Sequence, residues 1–236
     1  MVSSLEGFNI DTLPKNLIIN LKRAVCRVEI LRGESSAGMK YELFKRLNSG
    51  GSKLTPQEIR NALYRGISPR LNDLTLELSQ NKTFSKLTNL SAVKKLELYD
   101  QELVLRFFAF LDNAENVNDN TENFLNNFMD TSVKNELFDF EYYRTTFIKV
   151  IELIDSIGDE KIFRNVRNLF VPAEFEGITI AVAQNYSKYE HNVTLLKERI
   201  ADLKSDVNFR KYSGTASNSK SRIKTRLKRA NQIFSK

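Results

Sequence analysis

A chain of 236 residues with 41% hydrophobic side chains suits one large domain or two small ones around a packed core, which excludes disorder as the starting assumption. No apolar run approaches the ~20 residues of a membrane span, and Met1 opens no charged-then-apolar leader, so a cytoplasmic protein without a membrane partner is expected. The single Cys26 excludes an internal disulfide and the single His191 excludes multi-histidine zinc sites and His-Asn-His nuclease chemistry, while the net charge of +7 gathers at one end: from Lys204 onward ten Lys/Arg face one acid, Asp206, which leaves −2 for everything before.

In chain order, "TLPKNLIINLKRA" reads as a short helix with Thr12 near its start and Pro14 early. "AVCRVEIL", Ala24 to Leu31, alternates as a strand with Cys26, Val28 and Ile30 on one face, and Cys26 reads there as a small buried hydrophobe. No convincing second strand follows, and "GFNID" is a feeble partner. A solitary strand leaves backbone groups unpaired, so either the chain pairs with its own copy or another chain supplies the sheet, with Cys26, Val28 and Ile30 as the partner interface.

"RLNSGGSKLTPQEIRNAL", Arg46 to Leu63, then joins two helical patterns. Met39, Leu43 and Leu47 repeat at helical spacing before it, and Asn48, Gly50 and Gly51 tolerate the positive φ at which a helix stops. Thr55 and Glu58 form a capping box, Pro56 falls at the first helical position, and Leu54 and Ile59 flank the cap as a staple. The plainer reading is a helix-turn-helix joint. The other is an anion site, in which two glycines admit a ligand to the backbone beside a helix N-terminus and Lys53, although the spacing is not that of a Walker A loop.

Beyond the joint, helical spacing predicts helices over Asn72 to Gln80, Ala92 to Asp112, Glu122 to Asp130, Val133 to Ile157, Asp159 to Leu169, Glu174 to Tyr189 and Val193 to Asp206. "DNAENVNDNTEN" is a polar loop. Phe138, Tyr142 and Phe147 fit a helix core better than a stacking platform for bases, His191 in "SKYEHNVT" reads as solvated, and Asp159, Glu160 and Lys161 read as the acidic start of a helix with no catalytic role. The tail passes through a Ser/Gly/Thr linker into an amphipathic helix. Ile223, Leu227 and Ala230 form its apolar stripe, with Arg222, Arg226 and Arg229 along one flank and Lys220, Lys224 and Lys228 along another. A docking helix with a solvated basic face and a polyanion-binding helix both fit this pattern, and unbalanced cations favour a polyanion, of which nucleic acid is the candidate.

"ELFKRLNSGGSKLTPQEIRNALYRG", "DQELVLRFFAFL", "FLNNFM" and "GTASNSKSRIKTRLKRANQIF" together resemble the back portion of the GmrS-like domain of GmrSD-type modification-dependent restriction proteins, a ParB-like nuclease family of bacterial antiphage defence. In that family an α/β portion carries an Asp-Gly-Gln-Gln-Arg motif implicated in nucleotide binding and hydrolysis. Neither the motif nor the family's histidine-bearing nuclease domain is in this sequence. The resemblance implies a mainly α fold, in which a helical bundle carries a short N-terminal α/β remnant of about one strand that completes a ParB-like sheet from another chain. Residues 1–66 would be the partial α/β portion with the joint, 67–206 the bundle, and 207–236 the basic linker and helix. It also implies a subunit of a split defence complex, not catalytic alone, whose partner carries the missing motif. Asn48, Gly50, Gly51, Gln57, Arg60 and Asn61 would line a composite nucleotide pocket. A nucleoside triphosphate and a divalent cation would bind only in the complex, and the basic C-terminal helix would meet DNA. A stand-alone, non-catalytic nucleic-acid-binding or regulatory module is the alternative.

Overall fold

The computed structural model describes residues 7–25, 28, 37–48, 53–214 and 218–236. They fall into two units, Met1–Ser35 and Ser36–Lys236. Among the described residues there are fourteen helices and no strand longer than a single bridge, so the fold is mainly α.

In the first unit, Asn9 Oδ1 accepts from the Asp11 and Thr12 N–H groups, a local turn that leads through Pro14 into α1 (Lys15–Arg23). Lys22 and Arg23 occupy its last turn, where cations meet the negative end of the helix dipole, and none of its side chains is buried. Ala24, Val25 and Val28 belong to no strand, and Val28 is 74% exposed. Cys26, Ile30 and the remainder of the expected strand lie outside the described residues.

The second unit begins with α2 (Ala37–Leu47), α3 (Pro56–Arg65), α4 (Pro69–Ser79), α5 (Lys82–Thr88), α6 (Ala92–Leu96) and α7 (Tyr99–Leu111). It continues through α8 (Thr121–Lys134), α9 (Phe140–Asp155), α10 (Pro172–Gln184), α11 (Tyr186–Tyr189), α12 (Val193–Ser205), α13 (Val207–Lys211) and α14 (Lys220–Phe234). Its axis is α7, buried at every position from Gln101 to Leu111, because "LVLRFFAFL" is apolar around the whole helix and needs neighbours on all sides. α4 and α10 pack on it, α14 packs on α10, and Phe84, Phe107, Phe147 and Phe175 interlock edge to face between them at 5.2–6.0 Å. Phe147 is therefore core, and Phe138 stacks on Tyr143 at 4.7 Å, while Tyr142 stays half exposed with its hydroxyl on Asp112.

α3 forms as its sequence dictates: Thr55 Oγ1 accepts from Glu58 N–H, and Glu58 Oε2 accepts from Thr55 N–H at 2.7 Å. Four expected helices differ from those formed; the simplest case, Glu174 to Tyr189, breaks at Asn185 into α10 and α11. The span Ala92 to Asp112 breaks at Leu98, which adopts φ +55°, and the break frees the Glu97 carbonyl to accept from Thr55 Oγ1 at 3.0 Å. The span Val133 to Ile157 breaks at 135–139, because Asn135 Oδ1 takes the Leu137 N–H and Asp139 starts α9 by accepting from Tyr142 N–H. Asp159 to Leu169 is no helix. Asn165 Oδ1 accepts from the N–H groups of both Arg167 and Leu169, Asn168 sits at φ +58°, and Lys204 Nζ donates to the carbonyls of Ile162 and Arg164. These bonds, two local and two from α12, occupy backbone groups that a helix would have paired internally.

Candidate functional site

Charged residues inside apolar helices must find partners or destabilise them, and α7 carries two, Glu102 and Arg106, four residues apart on its buried face. Glu102 accepts from Arg60 Nη2 of α3 at 2.6 Å and from Arg106 Nη2 at 2.8 Å. Arg106 Nη1 continues to Glu176 of α10 at 2.6 Å, and Arg226 of α14 donates to the other oxygen of Glu176. Arg60, Glu102, Arg106, Glu176 and Arg226 thus form one buried ladder through four helices. Burial alone would raise the carboxyls of Glu102 and Glu176. The adjacent guanidiniums outweigh it and hold both below the usual carboxylate range. Burial pulls the Arg60 guanidinium down against Glu102, whereas in Arg106 the two carboxylates overcome burial and raise it.

A neutral branch leaves the ladder at Arg60. Its Nε donates to Gln57 Oε1 at 2.9 Å, and its Nη1 to Asn126 Oδ1 of α8. Gln57 Nε2 donates to Asn61 Oδ1, and Asn61 Nδ2 to Gln101 Oε1 at 2.8 Å. Gln57, Arg60 and Asn61 therefore share one network, as side chains that mutually fix their rotamers.

Arg60 also lies in the wall of a cleft of about 380 Å³. Three helices present their N-terminal ends to it: α3 with Thr55 and Pro56, α7 with Tyr99, and α8 with Asn120 and Thr121. Arg60, Arg106 and Lys94 bring cations. The lining carboxylates are each paired, Glu97 with Lys94, Glu102 with the two arginines, and Glu122 with Lys45 and the Tyr41 hydroxyl. Asn218, just before α14, closes one side, and its carbonyl accepts from Thr121 N–H at 3.1 Å.

Of the expected pocket residues that the structure describes, Arg60 alone lines this cleft; Gln57 and Asn61 belong to its supporting network, and the remaining expected site residues sit elsewhere. Asn48 Nδ2 donates to the Phe44 carbonyl at 2.8 Å and finishes α2, while Gly50 and Gly51 lie outside the described residues. On α14, Arg226 is 1% exposed in the ladder and so sits inside the protein instead of on a surface flank. Arg229 makes a two-nitrogen pair with Asp206, the residue that also caps α13, and Arg222 reaches the Lys211 carbonyl. Lys220 and Lys228 are exposed and Lys224 is half-buried, the last two beside a second groove of about 380 Å³ with Gln184 and Leu227. Sequence reasoning missed Glu102, Arg106 and Glu176. The signal was present in "DQELVLRFFAFL" and "PAEFEGITIAV", where a charge interrupts an otherwise apolar helix. No protein-family model matches this chain, and neither a curated protein nor a solved structure does.

Proposed function

We propose that this chain is a subunit of a split antiphage defence complex of the GmrSD type, completing a nucleotide-dependent DNA-targeting domain with a partner that carries the Asp-Gly-Gln-Gln-Arg half. The observation that carries the reading is the cleft where Arg60, fixed by Gln57, Glu102 and Asn126, meets three helix N-termini, since preorganised cations and helix ends are what a phosphate-bearing ligand requires. In this reading Ala24 to Leu31 adds the late strand of a ParB-like sheet supplied by the partner. The nucleoside triphosphate, with a divalent cation, binds only in the complex, and the α14 lysines touch DNA. Co-expression with the motif-bearing polypeptide tests it. The expected outcome is a stable complex that hydrolyses nucleotide, with neither chain active alone. Failure of the two to co-purify, or full hydrolysis by the partner by itself, overturns the reading.

A stand-alone, non-catalytic nucleic-acid-binding module is the second reading, favoured by Lys220, Lys224 and Lys228 following one another at four-residue steps on α14. It requires nucleotide-independent DNA binding by this chain without a partner, which electrophoretic mobility shifts would display directly.

A further inference from the structure

Thr121 is a hydroxyl residue in the wrong kind of place for a purely structural role. It is the first residue of the fourteen-residue α8, it is 3% exposed, and it lines the cleft, yet its Oγ1 has no hydrogen-bond partner. An unpartnered buried hydroxyl destabilises the fold that holds it, so its retention points to a partner that arrives from outside. The Asn120 side chain already satisfies the α8 cap by accepting from Asn123 N–H, and the Thr121 N–H is engaged by Asn218, so the hydroxyl is not needed to start the helix.

We infer that the cleft is a phosphate monoester site of this chain alone, with Thr121 Oγ1 donating to a phosphate oxygen, Lys94 supplying charge, and the ends of α3, α7 and α8 converging on it. A tetrahedral dianion suits three helix ends approaching from different elements, because their partial positive charges add at one point. A planar carboxylate would meet fewer of them. Lys94 is the adjustable cation: its side chain is half exposed, and its pairing with Glu97 is a three-residue contact on the surface that a dianion displaces at small cost. Pro56, Tyr99 and Leu125 add apolar atoms to the same lining, which leaves room for the organic part of the ester. The inference rests on the reading of the cleft given above and divides it in two: this chain holds the phosphate end without a partner, and only the triphosphate with its cation waits for the complex.

The test is calorimetric titration of the full chain with inorganic phosphate, and with acetate at matched ionic strength, for the native protein, Thr121→Val, Thr121→Ser and Lys94→Gln. Saturable phosphate binding is expected, with acetate far weaker. Loss of one hydrogen bond to a charged ligand in Thr121→Val weakens it about tenfold or more, Thr121→Ser restores it, and Lys94→Gln weakens it with the fold intact. Thr121→Val should melt at or above the native temperature, since it removes a buried unpaired group; a merely structural threonine would lose stability instead. A nucleoside monophosphate and a 5′-phosphorylated oligonucleotide then identify the source of the phosphate by which binds tighter. Absence of saturable phosphate binding, equal binding of acetate, or unchanged affinity in Thr121→Val overturns the inference. A binding-competent chain that forms no complex would remove only the partnership, and a hydrolysing complex indifferent to Thr121→Val would remove only this site.

Discussion

At the scale of single residues, Glu176 stands where the ladder passes from α7 to α14, pairing with both Arg106 and Arg226. Glu176→Gln leaves two buried guanidiniums short of a carboxylate and should cost about 3–5 kcal/mol in urea unfolding at neutral pH. The pH dependence follows from the direction of its shift. The folded carboxyl titrates below the unfolded one, so its stabilisation is complete above the ordinary glutamate range near pH 4.3 and is lost as acid takes the pH down through the folded value. Native protein should therefore lose stability steeply on acidification, and Glu176→Gln, less stable to begin with, should show a shallower acid limb. An equally steep limb in the variant would place the acid sensitivity elsewhere. Periodicity registered the apolar residues on either side of Glu102, Arg106 and Glu176 but had no means of pairing charges 42 or 70 positions apart in the chain. Arg226 shows the same limit: its spacing with Arg222 and Arg229 on a helical flank is correct, yet only the presence of Glu176 on α10 decides that this flank turns inward.

At the scale of elements, the start of α3 was legible because every participant lies within four residues. Thr55→Ala removes the cap and also the hydroxyl that reaches the Glu97 carbonyl, so a loss of about 1–2 kcal/mol is expected, read from chemical denaturation. The breaks at 135–139 and 159–169 were not legible, since the asparagines there can start, end or replace a helix, and the choice falls to partners such as Lys204 from α12. Gly177 on α10 is an element-level constraint of another kind. A Cβ there would stand 2.8 Å from the Phe209 ring of α13 and 3.5 Å from Ala230 of α14. Glycine normally costs a helix interior about 1 kcal/mol against alanine, yet Gly177→Ala should destabilise by roughly 1–3 kcal/mol, because the buried Phe209 ring must move. A higher melting temperature for that variant would mean the ring yields freely.

At the scale of the whole molecule, the C-terminal helix belongs to the body as much as to any ligand. Ile223, Leu227, Ala230, Ile233 and Phe234 are buried, and Arg226 and Arg229 are spent on Glu176 and Asp206. DNA contacts, where they exist, then fall to Lys220, Lys224 and Lys228. Replacing all three with alanine should lower the slope of log affinity against log salt by about 2.7 on duplex DNA, near 0.9 per phosphate, with sequence preference little changed. An unchanged slope would take α14 out of any DNA interface. The concentration of charge at this end was plain in the sequence, but its division between interior and surface was not, because amphipathic spacing says which residues share a face without saying what covers it. The fully enclosed α7 has a kinetic consequence. Its backbone amides from Leu105 to Leu111 lie behind α4, α8 and α10, so local opening of the periphery is expected to leave them covered. In deuterated buffer they should exchange last, at the rate set by global unfolding, while α1 and α6, which bury nothing, exchange within the dead time of the measurement.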